Sequence, residues 1–114
     1  MYYIYMVRCA DESLYTGIAA DLHRRMREHT SKAPAAAKYT RSRKVVALEA
    51  VWTAVDRAVA SRLEYAIKRL PRQKKLELIA DPTRLGELMP KLSGEDYTHH
   101  PGVNLENCLK GEMS

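Results

Sequence analysis

The N-terminal segment of the chain constrains the fold most, because its residues alternate in the pattern of a β-hairpin. Residues 2–8 are rich in Tyr, Ile and Val, which favour strands, and successive side chains there point to opposite faces. Residues 10–13 form a polar turn, and residues 14–18 predict a second strand. A connection this short requires the two strands to pair in antiparallel orientation.

A helix is predicted directly after the hairpin. Asp21 has the side chain and position of an N-cap for a helix over residues 22–30. Leu22, Met26 and His29 follow one another at helical spacing and therefore share one stripe of this helix. That stripe is expected to pack against the sheet.

The second half of the chain begins with a third strand and continues with helices. Residues 45–52 are apolar enough to lie in the middle of the sheet. Asp56 is placed to cap a helix over residues 57–70, which Pro71 ends because its ring cannot continue the hydrogen-bond ladder. Two further short helices are predicted, over residues 73–80 and 82–92.

This order of elements predicts a single α/β domain of the α+β type. Its sheet is expected to have three antiparallel strands flanked by helices. We expect residues 1–80 to form the domain and residues 81–114 to form a helical extension. From residue 93 the chain turns to Gly, Asp, His, Pro and Asn, which predicts a loosely ordered C-terminal tail.

Composition and charge narrow the class of protein. The 114 residues are 46% hydrophobic and 29% charged, a balance that excludes a disordered chain and a membrane span. Residues 1–80 carry 16 Lys and Arg against 8 Asp and Glu, whereas residues 81–114 carry 3 against 6. A basic body favours a polyphosphate partner such as nucleic acid. Cys9 and Cys108 lack metal-ligand spacing and are interpreted as reduced thiols, which indicates the cytoplasm.

Several polar side chains have both a structural and a functional interpretation. Tyr5 and Tyr15 are predicted on paired strands, where two tyrosines ordinarily pack against each other. The functional interpretation is that two phenols at one surface hold a water molecule. Arg25 and His29 share a helix face. They are interpreted either as an ordinary surface pair or as functional residues, with Arg25 binding phosphate oxygens and His29 orienting a proton-transfer partner. Glu64 precedes Lys68 by four residues, so the two side chains can form a surface ion pair. The alternative is that Glu64 is a carboxylate ligand for a hard divalent cation.

The order of these residues resembles the GIY-YIG nuclease family, in its small bacterial single-domain branch. The two motifs of the family correspond to Tyr3-Ile4-Tyr5, with Tyr in place of the first Gly, and to Tyr15-Thr16-Gly17. The arginine and histidine of the family's helix correspond to Arg25 and His29, and its metal-binding glutamate to Glu64. The resemblance covers residues 2–80.

The resemblance implies a metal-dependent endonuclease that hydrolyses DNA phosphodiester bonds, with DNA repair or recombination as the expected setting. One Mg²⁺ or Mn²⁺ ion on Glu64 would polarise the phosphate, and Arg25 would stabilise the transition-state charge. Tyr5 or Tyr15 would position the attacking water, its pKa lowered by nearby positive charge from about 10. His29 would hydrogen-bond a tyrosine, and Gly17 would allow the backbone to approach the following helix closely.

A basic segment between the first helix and the third strand is the predicted DNA contact. Four Lys or Arg residues and one aromatic residue lie close together there, and we expect this segment to border the cleft and contact phosphates: Lys38, Tyr39, Arg41, Arg43 and Lys44. The alternative is an ordinary solvated loop.

Two other functions stay open at this point, a nucleic-acid-binding module with little turnover and an adaptor that binds a protein partner.

Overall fold

The computed structural model describes residues 1–31 and 43–110 of the chain. Its sheet has four strands: β1 (Tyr2–Cys9), β2 (Leu14–Ala19), β3 (Val45–Ala54) and β4 (Thr98–His99). They are ordered β2-β1-β3-β4, and each neighbouring pair is antiparallel. The predicted hairpin and third strand are confirmed, and the fold is of the predicted α+β type.

The sheet has one more strand than predicted. β4 comes from the C-terminal segment and pairs Thr98 and His99 with the end of β3. A strand of two residues is too short to show an alternating pattern, so only its backbone pairing identifies it. With β4 in place, β3 lies between two strands, in agreement with its apolar sequence.

Five α-helices accompany the sheet in the described residues: α1 (Leu22–Ser31), α2 (Arg57–Lys68), α3 (Arg72–Ala80), α4 (Leu85–Leu88) and α5 (Leu105–Lys110). Both predicted N-caps are present. The Asp21 carboxylate accepts from the backbone N–H of Arg24 at 3.1 Å, and that of Asp56 accepts from the N–H of Val59 at 2.9 Å. These bonds satisfy N–H groups that have no partner within the helix.

The predicted helix over residues 82–92 is wrong in length. The segment instead forms a 3₁₀ turn (Pro82–Arg84) followed by the single turn of α4. The chain leaves the helix at Met89, where φ is −131° and ψ is 70°. Met89 precedes Pro90, and a residue before proline avoids the helical conformation because of clash with the proline ring.

The two faces of the sheet carry separate cores. On one face, Tyr5, Val7 and Val51 pack with α1 and α5 in one cluster of buried residues. On the other face, Ile4, Met6 and Trp52 belong to a second cluster that contains the apolar stripe of α2 and parts of α3 and α4. Helix α1 and helix α2 therefore lie on opposite faces of the sheet.

The C-terminal segment packs more closely than expected for a loosely ordered tail. Tyr97, Val103 and Cys108 are all buried. The Tyr97 hydroxyl donates to the Val59 carbonyl at 2.8 Å, which ties the segment to α2. Burial of these apolar side chains holds residues 97–108 against the body.

Both cysteines are free and buried, as the reduced-thiol interpretation requires. Among the described residues, no helix is long and apolar enough to cross a membrane.

Candidate active site

The register of the hairpin determines where the two motif tyrosines lie. Tyr5 is paired with Gly17 across the β1–β2 ladder, and Tyr15 is paired with Val7. Partners in an antiparallel pair point to the same face, so both tyrosines lie on the face that α1 covers. Their ring centroids are 6.4 Å apart.

Gly17 makes room for the Tyr5 side chain. A Cβ atom on Gly17 would lie 2.5 Å from the Tyr5 hydroxyl oxygen and 2.7 Å from its Cζ atom. The phenol therefore crosses directly over the backbone of β2. We expected Gly17 to permit close approach to the following helix, but its close neighbours are the rings of Tyr5 and Tyr15.

A hydrogen-bonded cluster joins Tyr5 to α1. The Tyr5 hydroxyl lies 2.8 Å from His29 Nε2, which confirms the predicted bond between this histidine and a tyrosine. Arg25 Nε donates to the same hydroxyl oxygen at 3.4 Å. Since the arginine can only donate, the tyrosine hydroxyl is placed to donate its own proton to a neutral His29.

Burial is the main cause of the pKa shifts of Tyr5 and His29 in this cluster. Tyr5 and His29 are both almost completely inaccessible to water. Burial raises the pKa of Tyr5 far above its usual value of 10.0, and the nearby charge of Arg25 only partly offsets that rise. Burial also lowers the pKa of His29 from 6.5 to about 4, with the charge of Arg25 adding to the effect. The expectation of a lowered tyrosine pKa is therefore wrong for Tyr5.

His29 is expected to make folding stability depend on pH. Its pKa is about 4 when folded and near 6.5 when unfolded, so between these values the unfolded chain binds more protons. Stability should therefore fall as pH falls through this window, by on the order of 2–3 kcal/mol at pH 4.5. Thermal melts of the wild type and His29→Gln across this range measure the difference. Parallel melting profiles of the two proteins would contradict the prediction.

Tyr15 is the more accessible of the two tyrosines and lies between the two helices. Its ring centroid is 5.6 Å from that of His29 on α1. On its other side, the Lys68 ammonium of α2 lies 5.6 Å from the ring centroid, at a distance suited to a cation–π contact. Tyr15 is half-buried, so a phosphate or a water molecule can reach its phenol from solvent.

Glu64 reaches this cluster from the opposite side of the sheet. Its helix, α2, buries its apolar stripe against the face that does not carry Tyr5. Glu64 accepts from Lys68 at 3.2 Å, and Lys68 in turn contacts the Tyr15 ring. Glu64 is also close enough for its negative charge to add to the rise in the pKa of Tyr5, of which burial is the main cause. The carboxylate thus approaches the tyrosines around the outer strand β2.

The donor set suits one hard cation that keeps most of its water. In the described parts of the chain, no three His, Cys, Asp or Glu side chains lie together as a metal-binding group. Glu64 supplies a single carboxylate that is 23% exposed. Mg²⁺ is commonly held by one or two carboxylates together with waters and substrate phosphate oxygens, so this arrangement fits such an ion.

The predicted DNA-contacting segment falls mostly outside the described residues. Lys38, Tyr39 and Arg41 lie in the range 32–42, which the structure does not describe. Arg43 is described, and its Nε donates to Asp11 at 3.1 Å at the turn between β1 and β2.

Three contacts in the site were not anticipated from the sequence. Glu28 accepts from Arg25 Nη1 at 3.0 Å and from Arg24 Nε at 3.4 Å. These pairs have the i,i+3 and i,i+4 spacing that brings helix side chains together, so the signal was present in the sequence. The contact of Lys68 with Tyr15 joins a helix to a distant strand, and no local pattern indicates it.

Comparisons with known proteins identify the family to which the chain belongs. The family model described as the GIY-YIG catalytic domain matches residues 1–77. The UPF0213 protein FN1575 of Fusobacterium nucleatum is 46% identical over 81 residues, which cover 71% of this chain and 79% of that protein. The UPF0213 protein DP2720 of Desulfotalea psychrophila is 47% identical over 78 residues, which cover 68% and 70%.

One solved structure is also similar. It is the solution NMR structure of the UPF0213 protein BH0048 from Bacillus halodurans, with 34% identity and a TM-score of 0.45. The match covers 78% of this chain and 97% of that chain. The extent of the family-model match, together with the identity to relatives of similar length, shows that the chain belongs to the GIY-YIG catalytic domain family.

Proposed function

We propose that this protein is a metal-dependent DNA endonuclease that hydrolyses phosphodiester bonds. The observation that carries the proposal is the cluster of Tyr5, His29 and Arg25, which Tyr15 and Glu64 border at the edge of β2. The free, buried cysteines favour a reducing compartment, so we place the activity in the cytoplasm. DNA repair or recombination is the setting that we propose for it.

Arg25 and Glu64 supply the two charges that phosphate chemistry requires. Arg25 is half-buried, and its guanidinium can hydrogen-bond phosphate oxygens as charge develops on them. Glu64 would hold one divalent cation, Mg²⁺ or Mn²⁺. Such an ion, when bound, polarises the phosphate and neutralises charge on the leaving oxygen.

The two tyrosines have different roles in this proposal. Tyr5 is buried, and its raised pKa keeps the phenol protonated, so it cannot act as a general base and its role is to orient His29 and Arg25. Tyr15 is accessible and therefore the better candidate for holding the attacking water. His29, neutral at physiological pH because its pKa is about 4, can accept a hydrogen bond without repelling Arg25.

The test is incubation of the protein with a panel of labelled DNA structures. Single-stranded, duplex, nicked and branched substrates should be tested with Mg²⁺ or Mn²⁺, with and without a chelator. The proposal requires cleavage of at least one structure that the chelator abolishes. Cleavage that survives chelation would exclude the metal-dependent mechanism.

A second candidate is a nucleic-acid-binding module with little turnover. It is favoured by the ion pairs that Arg25 makes with Glu28 and Glu64 makes with Lys68, because both charges are already partnered within the chain. This candidate predicts salt-dependent DNA binding without cleavage of any substrate in the panel.

Lys38 and Arg41 are expected to contact DNA phosphates in either case. Each phosphate contact releases counterions and contributes about 0.9 to the slope of log K against log salt. The double variant Lys38→Ala/Arg41→Ala should therefore flatten that slope by about one to two units. Fluorescence anisotropy over a salt series measures the slope, and an unchanged slope would identify the segment as a solvated loop.

A further inference from the structure

A second surface of the molecule combines an exposed aromatic ring with positive charge. An open hollow of about 580 Å³ lies between α2 and the segment that follows α4. Its wall is formed by Arg62 and Tyr65 of α2, by Arg69 directly after this helix, and by residues 89–92, including Lys91. We call it the Tyr65 hollow. A volume of this size accommodates a small ligand such as one nucleotide.

The Tyr65 ring is exposed but held in position. The residue is 63% exposed. The Arg69 guanidinium lies 5.3 Å from the ring centroid, and its Nη1 donates to the Tyr65 hydroxyl at 2.9 Å. A ring fixed in this way offers a stacking surface at a low cost in side-chain entropy.

The cations of the hollow form no ion pairs in the part of the chain that the structure describes. Three of its lining residues are cations, and none is acidic. Within residues 1–31 and 43–110, Arg62, Arg69 and Lys91 make no ion pair with a carboxylate. By contrast, Lys68 and Arg84 are both paired. A partner that fits the hollow therefore carries negative charge.

We propose that the Tyr65 hollow binds one unpaired nucleotide of a DNA strand. The base stacks on Tyr65, and the phosphates on either side of it contact Arg62, Arg69 and Lys91. Stacking on an aromatic side chain beside Lys and Arg is the general way in which proteins hold single-stranded nucleic acid. An acidic peptide would use the same charges but has no need of the ring.

The inference rests on the proposed function, because α2 carries both Glu64 of the candidate active site and Tyr65 of the hollow. Glu64 directly precedes Tyr65, and Lys68 directly precedes Arg69. Neighbouring side chains on a helix point about 100° apart. A DNA strand that leaves Glu64 therefore reaches Tyr65 by passing around α2, over a distance of about 10 Å between the two side chains. The preferred substrate class is therefore DNA with an unpaired segment next to the site of cleavage.

The test measures binding in the presence of a chelator, so that it does not depend on cleavage. The probes are a fluorescein-labelled oligothymidylate and a blunt DNA duplex. Tyr65→Ala should weaken oligothymidylate binding about 5- to 150-fold, the range found when a stacking aromatic is removed. Duplex affinity should change by less than about twofold, because the stacked bases of a duplex cannot enter the hollow.

Tyr65→Phe is the matched control, because it keeps the ring that stacks and loses the hydroxyl together with its hydrogen bond from Arg69. It should bind the oligothymidylate nearly as tightly as the wild type. An exposed side chain contributes little to the core, so thermal melts of both variants should resemble that of the wild type. Cross-linking of an oligonucleotide containing 5-iododeoxyuridine should map to residue 65 by mass spectrometry.

Three results would overturn the inference. The first is an unchanged oligothymidylate affinity in Tyr65→Ala. The second is an equal loss for the duplex. The third is that a polyglutamate peptide displaces the oligonucleotide and binds Tyr65→Ala as tightly as the wild type. That result would identify an acidic protein as the partner of the hollow. Failure of the proposed nuclease activity is separate, because it appears in the cleavage panel and leaves these binding measurements intact.

Discussion

Glu64→Ala is expected to abolish cleavage while leaving fold and DNA binding intact. If Glu64 holds the only divalent cation, its removal deprives the reaction of several kcal/mol of charge stabilisation. Since each 1.36 kcal/mol changes a rate tenfold, a loss of about 10³ or more follows. The fold should lose only a few tenths of a kcal/mol, from the ion pair with Lys68.

The measurement is single-turnover cleavage of the best substrate of the panel in Mg²⁺, together with a thermal melt. Glu77→Ala is the matched control, because Glu77 is also a helix carboxylate in ion pairs, with Lys74 and Arg84, but lies on α3. It should cut at nearly the wild-type rate. Normal cleavage by Glu64→Ala, or loss of its melting transition, would show that the carboxylate has a surface or structural role.

Gly17→Ala is expected to damage both stability and activity. Its added methyl group would lie 2.5 Å from the Tyr5 hydroxyl oxygen and 2.7 Å from Cζ. Tyr5 is fully buried, so its ring cannot move away without disturbing its neighbours. Overpacking of this kind costs about 1–3 kcal/mol. The displaced phenol would also lose its bond to His29, and small misplacements in active sites reduce rates by about 10²-fold.

Two further variants separate this effect from a general effect of alanine. Gly86→Ala is the control, because nothing lies within 4 Å of a Cβ atom at that position. It should melt at or slightly above the wild-type temperature, since alanine favours helix over glycine. The double variant Gly17→Ala/Tyr5→Phe removes the closest contact and should recover part of the lost stability but not the activity. A Gly17→Ala protein as stable and active as the wild type would contradict the steric argument.

Much of the fold was predictable because its signals are local. Alternation over the first strand, the carboxylates of Asp21 and Asp56, and the helical spacing of apolar residues each depend on neighbours within a few positions. The strand β4 was not predictable, because Thr98 and His99 form a strand only through their pairing with β3. The close packing of residues 97–108 likewise depends on partners elsewhere in the chain.

Part of the candidate site was also predictable from the sequence, and part of it was not. The identity and order of Tyr5, Tyr15, Arg25, His29 and Glu64 could be read from the sequence, and the family comparison agrees with the resemblance that they carry. The protonation state of Tyr5 could not be read. Nearby positive charge was expected to lower its pKa. Arg25 does act in that direction, but α1 covers the phenol so completely that burial outweighs its effect.

The hairpin, the capped helices and the residue types available for phosphate chemistry can be read from the amino-acid sequence, because each follows from short-range geometry and side-chain chemistry. The approach of Glu64 from the face opposite to Tyr5, around β2 and through Lys68, is a property of the fold. The same is true of the hollow that Tyr65, Arg69 and Lys91 surround. These arrangements join residues distant in sequence, and their positions follow from how α1 and α2 pack on the two faces of one sheet.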